Sequence, residues 1–445
     1  MADTQLERKL TLFPVTNIVI ANMIGAGIFT TSGLLMEDLH NPLLMLVLWL
    51  AGGLVALCGA LSYAELGAAI PEAGGEYAFL SRMYHPLLGF LSGWVSLIAG
   101  FSAPIAASAI GCSEYLFNAF PALVPETFDE TSMRRLISLL IIAAFTGIHM
   151  RGIEFGARVQ NWLTLLKLLL IAGLITVGFA AGSGTWSHLT SGSSFSLATA
   201  NWQTIGLSLM WIMFAYSGWN ASTYIGSEVK DPTRNIPRSL LVGTGIVTTI
   251  YILLNLFYVY AVHPQGMEGV ISIGGLAVGQ AFGESVGSFV SVLIAFALFS
   301  SLSAYVILGP RVYYAMARDG VFFSSLSAVG AVSRAPARAI LLQGVIASLL
   351  VLTGSFDQIL TYMGFSLGIF PILAVASIFR LRRGRQNHRH LPGYPVAPAL
   401  YVLAGTMMLI LSFMERPTES ILAIGTVLAG IPFYLLFRKR QSASA

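Results

Sequence analysis

The sequence predicts an all-α integral membrane protein of twelve transmembrane helices, and three observations carry that expectation. Of its 445 residues 56% are hydrophobic and only 10% are charged, against about 25% charged in soluble chains. Apolar runs of about 20 residues, the length that crosses a bilayer, recur along the whole chain. The basic residues between those runs fall almost entirely on alternate loops. An all-helical soluble protein with a large core is excluded, because so few charges cannot solvate a surface.

Charges in the flanking loops set off each expected span in turn. Helix 1 (13–36) lies between Lys9 and Glu37, helix 2 (42–70) between Asp38 and Arg82, and helix 3 (87–117) between Arg82 and Glu126. Helix 4 (136–150) runs from Arg135 to Arg151, and helix 5 (162–181) follows Arg158. Helix 6 (205–227) stops before Lys230, helix 7 (240–262) follows Arg238, and helix 8 (286–315) lies between Glu284 and Arg318. Helix 9 (339–353) follows Arg338 and helix 10 (359–379) stops at Arg380. Helices 11 (396–413) and 12 (420–437) flank Arg416, and Arg438 follows the last.

With the N-terminus inside, the cytoplasmic loops and tails hold 20 of the 24 Lys and Arg. The outer loops hold Arg134, Arg135 and Arg416 beside several carboxylates. Both termini are therefore expected in the cytoplasm. The polar first ten residues followed by a full-length apolar helix read as a retained first span, with no cleaved signal peptide. Cys58 and Cys112 lie within apolar spans and do not form a disulfide framework.

Two spans are expected to break. Helix 1 carries Gly25-Ala26-Gly27-Ile28-Phe29 at its middle, and helix 6 carries Phe214-Ala215-Tyr216-Ser217-Gly218-Trp219-Asn220. Close helix packing is the other use of such glycines. The two segments are five helices apart, the spacing of two five-helix repeats of opposite topology. An unwound segment in lipid leaves N–H and C=O groups that need a cavity or a polar ligand. The half-helix starting after Gly27 aims its positive end at the gap and suits a carboxylate. The carbonyls before it suit an ammonium group, so a zwitterionic amino acid fits both.

These segments resemble the amino acid–polyamine–organocation superfamily, and the helix 6 motif is similar to its L-type amino acid transporter branch. Further matches are Tyr63 to Gly67, Pro71 to Tyr77, Glu228 to Pro232 with Asn235-Ile236-Pro237, and Arg311 to Gly320. The resemblance runs in order over helices 1 to 10. It implies a LeuT-like fold with a 5+5 inverted repeat, broken helices 1 and 6, and two extra C-terminal helices. The expected units are a cytoplasmic tail (1–10), a first repeat (11–182), a second repeat (201–380), helices 11 and 12 (393–437) and a cytoplasmic tail (438–445).

The resemblance also implies a site. The amides of Ala26, Gly27 and Ile28, next to Gly25, would hold the substrate carboxylate. The carbonyls of Met23, Phe214 and Ser217 would take its amino group. Phe214 would gate the site, and Ala215, Gly218 and Asn220 would complete the second break. The family usually has Ser where this chain has Ala26, which implies weakened rather than lost recognition.

Lys167 is the one basic residue inside an apolar span. About ten residues past the charge of Arg158, it lies about 15 Å deep, where snorkelling to the interface is the alternative. The resemblance implies that it stands near the sodium position of sodium-coupled relatives. There it would bond carbonyls of the helix 1 break and hydroxyls of helix 8, Ser301 or Ser303, making transport sodium-independent. Burial disfavours a charged amine, so Lys167 could instead carry a proton. Glu65, Glu228 and Glu114, near helix ends, are expected to be structural.

No Walker A loop, zinc spacing, nucleophile motif or channel filter is present. The expectation is a secondary active carrier, not an enzyme, with no cofactor, no metal and no nucleic acid partner. It would exchange neutral L-amino acids without sodium. The alternatives are a proton-coupled amino acid symporter and an amino acid-binding membrane sensor. Placement in a bacterial inner membrane is expected. The loop over 118–133 has no cysteine, where animal L-type light chains attach a glycoprotein subunit, so no disulfide-linked heavy subunit is expected.

Overall fold

The computed structural model describes residues 8, 10–120, 129–151, 153–191, 200–328, 336–354, 356–384 and 391–444. The side chains of 153–158, 161 and 439–444 fall outside that description. So do Lys9, Arg334, Arg385, Arg389 and half of the expected 118–133 loop, the last because residues 121–128 are excluded.

The first span is two helices, α1 (Leu12–Met23) and α2 (Ala26–Leu39). Helix α3 (Pro42–Ala69) starts at an Asn-Pro pair, with the Asn41 side chain accepting the Leu44 N–H at 2.9 Å. After a glycine turn come α4 (Glu76–Met83), α5 (Pro86–Val95) and α6 (Ala103–Ala119). A π-helical turn, Ser96–Ser102, joins the last two. Pro104 accounts for it: the ring has no N–H for the Gly100 carbonyl and crowds that turn.

Next are α7 (Glu130–Arg151), α8 (Ile153–Ala181) and α9 (Trp202–Ala215). The chain continues as α10 (Pro232–Ala261), α11 (Pro264–Met267), α12 (Ile273–Phe282) and α13 (Glu284–Arg318). It closes with α14 (Ala337–Thr353), α15 (Phe356–Gly384), α16 (Val396–Glu415) and α17 (Pro417–Ser444). Among the described residues extended pairing is limited to two isolated bridges, Leu10 with Val229 and Ala73 with Ile225.

Among the described residues, ten spans are long and apolar enough to cross a membrane. The chain is a multi-pass membrane protein. Helices α9 and α14, with 14 and 17 residues, reach about 21 and 26 Å at 1.5 Å per residue, short of a 30 Å core. The sixth span differs from expectation. Beyond Ala215 it becomes a turn and two short 3₁₀ segments, Ala221–Tyr224 and Gly226–Glu228, instead of a second regular half-helix. Gly218, Gly226 and the β-branched Thr223 and Ile225 all lower helix propensity there. Helix α12 was also not expected; its ten residues are too few to read as a span.

The expected structural carboxylates are all in ion pairs: Glu65 with Arg382, Glu228 with Arg311 and Glu114 with Arg134. Arg382 holds Glu65 in a fork at 2.8 and 2.6 Å, and also bonds the Leu391 carbonyl. Glu65 is 3% exposed, so losing its partner strands a buried charge, a cost of about 3–5 kcal/mol. Arg82 with Glu72 is an exposed pair, worth about 0–1 kcal/mol. Arg382→Ala is therefore expected to lower the melting temperature in detergent clearly more than Arg82→Ala. Equal shifts would show that the fork does not tie α3 to α15.

Candidate functional site

A helix end leaves carbonyls without partners, and in α1 those of Ala21, Asn22, Met23 and Ile24 are each met by a side chain from elsewhere. The Lys167 ammonium donates to the Ala21 and Ile24 carbonyls at 3.1 and 2.5 Å. Its third contact is the Ser301 hydroxyl at 3.2 Å, and Ser301 in turn donates to the Ile24 carbonyl at 2.7 Å. Tyr305 donates to the Asn22 carbonyl at 3.2 Å.

Lys167 is fully buried, which sets snorkelling aside. Its charge faces the negative end of α1, and its three donors match three acceptors. Of the two hydroxyls expected near it, Ser301 is there and Ser303 is not. Two residues on, about 200° around the helix, Ser303 meets the His149 ring nitrogen at 2.9 Å.

The Tyr251 hydroxyl lies 2.5 Å from the Met23 carbonyl and 2.9 Å from that of Ala215. It has one proton for two acceptors, so it ties the two breaks together and leaves one carbonyl free at a time. The Phe214 carbonyl already accepts the Ser217 N–H at 2.8 Å. Two glycines complete the interlock. A Cβ on Gly27 would stand 2.5 Å from the Ala215 Cα. Gly218 has φ of +98°, and a Cβ there would stand 2.7 Å from the Asn22 Cβ.

Gly25 begins α2 with no side-chain cap, so the first amides of that helix lack a side-chain acceptor. Beside the breaks lies a cavity of about 110 Å³ along α9 and its continuation. Phe214, Ser217, Gly218 and Asn220 line it. Met23, Gly25, Ala26, Gly27, Ile28 and Ala215 are not among its lining residues. Of these, Gly27 and Ala215 meet backbone to backbone where α2 crosses α9, and Gly25 faces Tyr305 and Ser301 instead.

Among the cavity-wall residues that sequence reasoning missed are Asn22, Glu76 and Tyr305. Glu76 stood inside a motif already singled out, Pro71 to Tyr77, and Asn22 lies three residues before the first-break glycines. Tyr305 lies on an apolar helix and carries no local signal.

A polytopic helical membrane protein with two interlocked breaks beside a cavity is the class these features define. The chain belongs to the amino acid permease family, whose model matches residues 10–431. It is 30% identical over 451 residues to the serine/threonine exchanger SteT of Bacillus subtilis (strain 168), covering 99% of both chains. It is 28% identical to the Asc-type amino acid transporter 1 of Mus musculus, over 97% of this chain and 81% of that one. It is 27% identical, with the same coverage, to the large neutral amino acids transporter small subunit 2 of Mus musculus.

Proposed function

We propose that this protein is a secondary active carrier that exchanges neutral L-amino acids without sodium, by alternating access. The single observation that carries sodium independence is Lys167: a fixed ammonium fills the space between the end of α1 and Ser301. A second cation there would be repelled. The exchange reading draws on the bacterial relative named as a serine/threonine exchanger.

The twelve-helix, LeuT-like reading counts α9 with its irregular continuation and α14 as crossings alongside the ten long spans. The repeats would be 11–182 and 201–380, each opening on a broken span, with helices 11 and 12 added after them. The first amides of α2, at Ala26, Gly27 and Ile28, would receive the carboxylate once α2 separates from Ala215. The Met23, Phe214 and Ser217 carbonyls would receive the ammonium, the first when Tyr251 turns its proton to Ala215. Phe214 would close over the substrate. The basic loops support cytoplasmic termini, in a bacterial inner membrane in this reading. Cys58 and Cys112 are free thiols, and no disulfide-linked partner is proposed.

Purified protein in sodium-free proteoliposomes tests the reading, with labelled serine outside and unlabelled serine inside or absent. Uptake is expected only into preloaded vesicles. Equal uptake into empty vesicles would reject obligatory exchange and favour proton symport.

A further inference from the structure

Among the described residues, Glu76 is the buried carboxylate without a basic partner. The Gly74-Gly75 turn delivers it: Gly74 donates to the Tyr224 carbonyl at 3.1 Å. Gly75, with φ of +55°, lies so close to the Tyr224 ring that a Cβ would approach it to 2.6 Å. The chain then enters α4 with the Glu76 side chain 3% exposed and on the cavity wall.

Every group that meets the carboxylate is uncharged. Tyr63 on α3 donates to Oε1 at 2.8 Å, and the Asn220 amide donates to the same oxygen at 2.5 Å. The Tyr224 hydroxyl also bonds the carboxyl, and Tyr401 on α16 faces it. Among the described residues no Lys, Arg or His pairs with it, whereas Glu65, Glu114 and Glu228 each have an arginine. Burial pushes the Glu76 carboxyl above its ordinary value, and the hydrogen bonds from Tyr224, Tyr63 and Asn220 pull it back.

Donors converging on a carboxylate suit its ionised, acceptor-only form. An ionised carboxylate in a buried site calls for a countercharge. The cavity is where one could enter, and what the proposed function moves through it carries an ammonium group.

We propose that Glu76 and Asn220 form an inner subsite that takes the ammonium group of an amino acid as it passes between the breaks and the cytoplasmic face. The subsite rests on the amino acid carrier reading. It is distinct from the carbonyls at the breaks: Glu76 opens α4, between the second and third spans, at the same end as the Arg82–Glu72 pair. The ammonium is the α-amino group of a neutral substrate or the side-chain group of a cationic one, and the two are separable by substrate.

The test uses full-length protein in oriented proteoliposomes, with KM measured separately at each face for labelled alanine and labelled lysine. Glu76→Gln keeps the shape and removes the charge. It is expected to raise KM at the cytoplasmic face about tenfold, the worth of one charge-assisted hydrogen bond. The outer KM should stay within about twofold, with saturating exchange retained and Glu76→Asp partly restoring the inner KM. An effect on alanine assigns the α-amino group, and an effect on lysine alone assigns the side chain. Unchanged KM at both faces overturns the proposal, as does equal change at both, which marks a folding defect. Unchanged KM with loss of pH dependence also overturns it, by making Glu76 a proton carrier. Wild-type protein that exchanges neither substrate would instead reject the carrier reading itself.

Discussion

Reconstituted Lys167→Ala is expected to lose exchange by at least about tenfold while still inserting and purifying as a folded protein. The substitution removes the donor to the Ala21 and Ile24 carbonyls. Each buried acceptor left bare costs about 1–3 kcal/mol, and 1.4 kcal/mol of misplacement in the working conformation is a factor of ten. Ser301 still reaches Ile24, so the break is loosened, not melted.

Lys167→Met separates charge from packing, because it keeps an unbranched apolar stem and loses the ammonium. It is expected to fail as Lys167→Ala does. Wild-type exchange in either variant would sink the assignment of Lys167 as the tie between α8, the end of α1 and α13. Rescue by Met alone would reduce its role to filling space.

The spans were legible because apolar runs end sharply at charges and because Asn-Pro and Gly signals mark helix ends. The first break was legible because two glycines at mid-span have few other uses. The form of the sixth span was not. Its sequence signals an interruption, but the positive φ at Gly218 and the 3₁₀ segments beyond depend on how the chain meets Asn22. The π-helical turn before Pro104 was hidden in an uninterrupted apolar run.

The site divides the same way. Lys167 stood out as a lone charge, and its bond to Ser301 followed from the resemblance. Tyr251 and Tyr305 did not stand out: they cap carbonyls 228 and 283 residues away, and a tyrosine on an apolar helix looks like core. Glu76 sat in a recognised motif, yet one of its partners, Asn220, is 144 residues distant, so only the fold could make it a cavity carboxylate. The first amides of α2 were read as an open cradle. They are closed against Ala215 here because Gly27 lets two backbones meet.

That contact gives the second large effect. Gly27→Ala and Gly218→Ala are each expected to lower exchange about tenfold or more and to lower the melting temperature, whereas Gly25→Ala stays near wild type. A methyl on Gly27 would stand 2.5 Å from the Ala215 Cα, which is backbone and cannot swing away. Overpacking of this kind costs about 1–3 kcal/mol. At Gly218 the clash with Asn22 adds to a left-handed conformation that costs a non-glycine residue about 1–2 kcal/mol. At Gly25 the nearest atoms are the Tyr305 hydroxyl at 3.6 Å and the Ser301 Cβ and Oγ at 3.7 Å, ordinary contact distances. If the glycines served mainly to make the break pliant, Gly25, which stands in it, should matter at least as much as Gly27, which stands beyond it. Damage from Gly25→Ala equal to that from Gly27→Ala would favour pliancy. Damage confined to Gly27 and Gly218 would show that the two broken spans work as a fitted pair, held backbone to backbone and bridged by the Tyr251 hydroxyl.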